Sequence, residues 1–224
     1  MMRLNWSLVP AAAALVLLSG CGAAHKDDRA FGTKTYVKNG LRGEFYPLKK
    51  GASRLPDFAA LHTHGSFFTP NLNATPRSTA DGIVGVTDLN EWFAFDYKAA
   101  MTVAQAGTYG FRTVSDDGSR LLVDGHTVVD NDGVHAPASA SGSFNLMPGV
   151  HQLEVQYFKG PHWWGALQVY CTAPGGPEGL LPACGGMSLE APRKLSDNFW
   201  WMWLGGLLVV AGGWWLLRGR KTAG

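Results

Sequence analysis

From Phe93 to Cys171, apolar side chains recur at every second position. Phe93, Phe95 and Tyr97 alternate with Ala94 and Asp96, and Tyr109, Phe111 and Thr113 alternate with Gly110 and Arg112. Leu153, Val155 and Tyr157 alternate with Gln152, Glu154 and Gln156, and Leu167, Val169 and Cys171 alternate with Gln168 and Tyr170. Successive side chains of a strand point to opposite faces, so this period belongs to half-buried strands and not to helices. Turn pairs punctuate the runs: Ala106-Gly107, Asp117-Gly118, Asp124-Gly125, Asp132-Gly133 and Pro148-Gly149. Leu121 to Val129 reads as a hairpin with its tip at Asp124-Gly125 or Gly125-His126. Many short strands without an amphipathic helix predict an all-β antiparallel domain, a sandwich or a barrel. About 130 residues, from Gly40 to Cys171, suffice to bury a proper core.

Outside that region the chain has a different composition. Residues 1–20 carry one charge, Arg3, and then an apolar run from Leu8 to Leu18, as a bacterial export signal does. The run ends in Leu18-Ser19-Gly20-Cys21, which resembles the lipobox of bacterial lipoproteins, where the cysteine is lipidated after cleavage. The alternative is an ordinary signal peptide with an incidental Cys21. Residues 22–39 are small, polar and charged, and read as a tether. Phe199 to Leu217 is apolar and uncharged; at ~1.5 Å per residue it reaches about 28 Å, enough to span a membrane as a C-terminal transmembrane helix. Trp200, Trp201 and Trp203 mark one end of it and Trp214 and Trp215 the other, as aromatic belts do. Arg218, Arg220 and Lys221 follow, so residues 218–224 read as a basic cytoplasmic tail. The expected location is therefore the bacterial cell membrane, with the β domain on its extracytoplasmic side, periplasmic or external.

Residues 172–198 read as a linker. Cys171 and Cys184 are the cysteines left beyond Cys21, and outside the cytoplasm so isolated a pair points to a disulfide. Closing that loop is worth roughly 3 kcal/mol of chain entropy. A metal site is the weaker alternative, because no second Cys or His pair has suitable spacing.

Several segments, in order, resemble the protective-antigen (PA-14) domain family: Gly40 to Tyr46, Gly107 to Phe111, Ser115 to Leu121, Val123-Asp124-Gly125, Val129 to His135, Pro148 to His151, Val155 to Phe158 and Ala166 to Val169. The resemblance covers roughly residues 40–171. It implies a β-sandwich that commonly recognises carbohydrate, as an accessory module and not a catalyst. In the family's adhesin branch, two adjacent aspartates joined by a cis peptide bind Ca²⁺ together with a later loop, and the ion holds sugar hydroxyls. Asp116 and Asp117 match that pair, and Lys159 to Leu167 resembles the later loop through its Trp-Gly-x-Leu ending. Gly160 stands where the adhesins carry an Asn ligand, so the implied calcium site lacks one side-chain oxygen.

The residues have their own readings beside this. Two converged carboxylates repel, and a hard cation relieves the repulsion, but Ca²⁺ takes six to eight oxygens and two aspartates alone are too few. The structural alternative is that Asp116 and Asp117 accept backbone N–H groups and fix a turn. Trp163 and Trp164, beside His162, offer indole faces for a sugar; otherwise one packs in the core and one covers the sandwich edge. His62 and His64 lack a third metal ligand. Asp130 and Asp132 read as local turn bonding.

Nineteen Lys and Arg face seventeen Asp and Glu, and Arg3, Arg218, Arg220 and Lys221 lie at the ends, so the middle is slightly acidic. That gives no electrostatic case for nucleic acid. No Gly-x-Ser-x-Gly elbow, phosphate-binding loop or zinc-protease His pair is present, and the chain does not read as an enzyme. The leading expectation is a membrane-anchored glycan-binding module for a cell-envelope polysaccharide or other glycan, with or without Ca²⁺, its site formed by Asp116, Asp117, His162, Trp163 and Trp164. The rival is a protein-interaction or structural module of an envelope complex.

Overall fold

The computed structural model describes residues 30–194. The export signal with Cys21, the apolar stretch 199–217 and the basic tail lie outside the described residues. Among the described residues, no helix is long and apolar enough to cross a membrane.

Twelve strands follow in chain order: β1 (Leu41–Pro47), β2 (Gly65–Thr69), β3 (Asn73–Ser78), β4 (Phe93–Val103), β5 (Gly107–Asp116), β6 (Ser119–Val123), β7 (His126–Asn131), β8 (Ala138–Leu146), β9 (Gly149–Lys159), β10 (Trp164–Thr172), β11 (Glu178–Leu180) and β12 (Ser188–Glu190). They form two antiparallel sheets. The larger runs β2-β1-β4-β9-β6-β7, with β12 also on β4. The smaller runs β11-β10-β5-β8, with β3 also on β10. The alternation read in the sequence sets the inner faces. Phe93, Phe95, Tyr97, Leu153, Val155 and Tyr157 of the larger sheet and Tyr109, Phe111, Leu167 and Val169 of the smaller are all buried. The expected hairpin is β6–β7, with Asp124 and Gly125 at φ +50° and +78°, the left-handed pair that suits a two-residue turn.

The packed domain is longer than residues 40–171. Phe31, expected in a tether at 22–39, is buried against Phe95 and Tyr157 with ring centroids 6.0 and 5.6 Å apart. The buried Tyr97 hydroxyl donates to the Phe31 carbonyl at 3.0 Å. Polar flanks made this segment read as solvated, yet Phe31, the Thr33–Phe68 backbone bridge and the Tyr36 ring on Phe68 dock it. At the other end, Leu181, Met187 and Leu189 of the expected linker 172–198 are buried. Cys171 and Cys184 form the expected disulfide, with Cα atoms 5.9 Å apart.

The outer face of the larger sheet also departs from simple alternation. The segment between β1 and β2 folds back over it, so that Leu48, Leu55, Phe58 and Leu61 pack on Tyr46, Ala94 and Phe158. Beside this lid Asp96, an outward-facing residue of β4, is 1% exposed. It pairs with Glu44 and Gln156 across the neighbouring strands. Its Oδ2 lies 2.7 Å from Lys98 Nζ. Burial first, and then the charge of Glu154, push its carboxyl up to about 7 against the opposing pull of Lys98.

Phe31→Ala is expected to cost ~3–5 kcal/mol in urea denaturation, as buried aromatics do; a loss under about 1 kcal/mol would place the segment outside the core. Asp96 gives a pH signature. Its folded pKa lies above the ordinary 3.8, so the folded state holds a proton that the unfolded chain releases first. Its contribution is complete below about pH 4 and is lost as pH rises towards about 7. Asp96→Asn should therefore match the parent at pH 4 and exceed it in stability at pH 8.

Candidate functional site

Four connections between the sheets cluster at one end of the sandwich: β3 to β4, β5 to β6, β7 to β8 and β9 to β10. The pairings Ala166 with Asp116, Ser119 with Tyr157, and Phe93 with Lys159 put these strand ends side by side. Asp116, Asp117, His162, Trp163 and Trp164 all fall on these connections or at the strand ends beside them.

Asp116 ends β5 and Asp117 follows it across a cis peptide bond. Behind them lies a polar cluster between the sheets. Ser115 Oγ donates to Ser119 Oγ at 2.8 Å, Ser119 Oγ to Thr113 Oγ1 at 3.1 Å, and Asn131 Nδ2 to Ser115 Oγ at 3.0 Å. The Tyr157 hydroxyl donates to the Asp116 carbonyl at 2.6 Å. These bonds fix the backbone that presents the two carboxylates.

The carboxylates do different work. Asp117 is 2% exposed and fully engaged: its Oδ1 accepts the His135 N–H at 3.1 Å and its Oδ2 accepts the Gly160 N–H at 2.9 Å. Oδ2 also takes the ammonium of Lys159. Lys159 is 0% exposed, and its ammonium also donates to the Pro161 carbonyl at 2.8 Å. It lies 3.6 Å from Asp116 Oδ1. Asp116 accepts no side-chain hydrogen bond within 3.5 Å from the described residues, and its side chain keeps 12% of its surface exposed. Burial raises its pKa, the Lys159 charge opposes this, and the Asp117 charge adds to it.

The β9–β10 loop forms the rim. His162, with φ +75°, is exposed, and its N–H donates to Glu91 Oε1 at 2.8 Å. Trp163 and Trp164 are each 57% exposed, so neither packs in the core as the structural alternative required. Their backbone is nevertheless held: the Trp163 carbonyl accepts from Thr79 N–H at 2.8 Å, and Trp164 pairs with Ser78. Val134 adds an exposed apolar side chain from the β7–β8 loop. His62 and His64 are exposed and precede β2, where the His64 N–H donates to the Phe45 carbonyl at 2.8 Å. Asp130 and Asp132 make the local bonds expected of them, Asp130 Oδ1 accepting Asp132 N–H at 3.1 Å and Asp132 Oδ1 accepting Gly133 N–H at 2.8 Å.

Calcium needs six to eight oxygens. Here both Asp117 oxygens already accept protein donors, the Pro161 carbonyl accepts an ammonium, and Gly160 offers no side chain. A Cβ at residue 160 would lie 3.2 Å from the Phe158 ring and 3.4 Å from Val134, so a larger residue would have to push both aside. Among the described residues no group of three His, Cys, Asp or Glu side chains converges as a metal site. The donor set does not fit a divalent ion.

Lys159, Glu91 and His135 were missed by sequence reasoning. For Lys159 the signal existed: it continues the inward phase of Leu153, Val155 and Tyr157. Glu91 and His135 lie on loops, where no period points to a partner.

The family model of the PA14 domain matches residues 38–182. No curated protein matches the chain. Among solved structures, a PA14 sugar-binding domain from an RTX adhesin superposes with a TM-score of 0.56 at 22% identity, over 65% of this chain and 96% of that one. The PA14 domain of the MpAFP antifreeze protein gives 0.55 at 19% identity, over 72% and 97%. An anti-sigma factor domain-containing protein from Clostridium clariflavum gives 0.55 at 14% identity, over 70% and 49%. At these identities the likeness is one of fold.

The unequal carboxylates give a direct test by chemical denaturation. Asp117→Ala strands a buried ammonium and should cost ~3–5 kcal/mol. Asp116→Asn leaves that ammonium its partner and should cost about 1 kcal/mol or less. Equal losses would refute the division of roles.

Proposed function

Because the chain belongs to the PA14 domain family, we propose that it is a carbohydrate-binding module, non-catalytic, whose site joins Asp116 to His162, Trp163 and Trp164. The observation that carries this reading is the pair of exposed indoles on a held loop beside a carboxylate with acceptor capacity to spare. Sugars present both surfaces that such a site needs. Their C–H faces lie against aromatic rings, and their hydroxyls donate to carboxylate oxygens. The sugar-binding adhesin domain of the same fold supports the reading by analogy. Asp117 then supports the loop and does not touch the ligand.

The ligand in this proposal is a glycan of the cell envelope or of another surface. The lipobox-like Cys21 and the apolar stretch 199–217 support an exported module anchored to the bacterial membrane, with its domain on the extracytoplasmic side. A second reading, a protein-interaction module of an envelope complex, is favoured by one observation: the position of an adhesin-type metal ligand is Gly160, and its neighbour is a buried lysine.

A glycan array with the full chain in mild detergent tests the proposal. Selective binding is expected, weakened about tenfold or more by Trp163→Ala, Trp164→Ala or Asp116→Ala with the fold retained. Binding should also weaken on acidification at a pH above the ordinary carboxylate range of about 4, since the raised Asp116 loses its charge there first. An empty array would sink the glycan reading and leave the interaction module.

A further inference from the structure

We propose that Lys159 is the resident cation of the Asp116–Asp117 site, so that the site is preformed without a divalent metal and meets its ligand by direct hydrogen bonds. The part about the ligand rests on the carbohydrate reading; the part about the cation stands on the geometry alone.

Two adjacent carboxylates at the end of a sandwich must be neutralised. The structure supplies the charge from within. The Lys159 ammonium has no exposed surface, contacts Asp117 Oδ2, lies 3.6 Å from Asp116 Oδ1 and donates to the Pro161 carbonyl. Three N–H donors thus face two carboxylates and a carbonyl, which is all that an ammonium can bond. A divalent ion entering this space would have to expel the ammonium from Asp117. Lys159 leaves an inner-face position of β9 with no exposed surface, so expulsion would break its bonds to Asp117 and to the Pro161 carbonyl together. The Gly160 N–H on the same Asp117 oxygen and the crowding around residue 160 close off the remaining side.

The charge type then decides how ligand is read. A calcium ion leaves coordination positions for pairs of hydroxyl oxygens. A buried ammonium leaves none. What remains for a ligand is the free capacity of the Asp116 carboxylate, an acceptor for single hydroxyl or amine donors. The substrate class is therefore saccharides chosen by donor placement and by the indole surface, without the requirement for a metal-chelating diol.

The test uses the full chain in mild detergent, with thermal denaturation and calorimetry. The wild-type Tm should be the same in excess Ca²⁺ and in chelator, and titration with CaCl₂ should give no saturable heat. A Tm raised by Ca²⁺, or one-to-one uptake, overturns the proposal. Lys159→Met keeps the length of the side chain and removes its charge. It should lower Tm by roughly 10 °C, because it leaves two carboxylates unneutralised. Adding Asp116→Asn to Lys159→Met should restore part of that loss, since one of the repelling charges is gone. A Tm unchanged in Lys159→Met, or a double variant less stable than the single, also overturns the proposal. Should Lys159→Met not fold, the wild-type calcium measurement decides alone. None of these readouts involves a sugar, so failure of the glycan reading leaves them intact, and calcium uptake would refute the resident cation without touching glycan binding.

Discussion

The contact between Lys159 and Asp117 governs the functional end of this molecule. A fully buried ammonium is costly to desolvate, and is tolerated only where carboxylates and carbonyls replace its water. Asp117, Asp116 and the Pro161 carbonyl do so. In return the ammonium ties β9 to the β5–β6 connection, and Asp117 ties that connection to Gly160 and His135. Three of the four crossing loops at this end are thereby held on one carboxylate. The indoles of Trp163 and Trp164 can be exposed because their loop is fixed from below and not by burying its own side chains.

The fold was largely legible in the sequence, because its signal is local and repetitive. The alternating residues of β4, β5, β9 and β10 all face the core as their period requires. The Asp124-Gly125 turn carries its conformation in its residue types. The ends of the domain were less legible: Phe31 is a single apolar residue in a polar stretch, and Met187, Leu189 and Ala191 alternate over only five residues after a Pro/Gly-rich segment. So short a signal does not by itself distinguish a docked segment from a solvated one.

The site was legible in a different way. Asp116 and Asp117 lie beside the β9–β10 loop that carries His162, Trp163 and Trp164, a three-dimensional proximity that spacing does not encode. The partner of the aspartates was hidden by habit: a lysine at a strand end reads as solvated, though its phase along β9 pointed inward. Asp96 shows the same limit on the opposite face. Its alternation placed it outward correctly, but the fold-back of residues 48–61 turned an outward position into a buried one.

The path of the backbone has one more consequence. Ala191 N–H donates to the Lys38 carbonyl at 2.8 Å, so the two terminal segments of the domain meet there. Glu190 pairs with Ala100, while the crossing loops adjoin Phe93 at the other end of the same strand. Seven residues of strand separate the two, about 24 Å. A tether attached at the C-terminal end therefore pulls on the base of the sandwich, away from the loops at the far tip, whereas the N-terminal segment is seated deeper, with Phe31 against Phe95 and Tyr157.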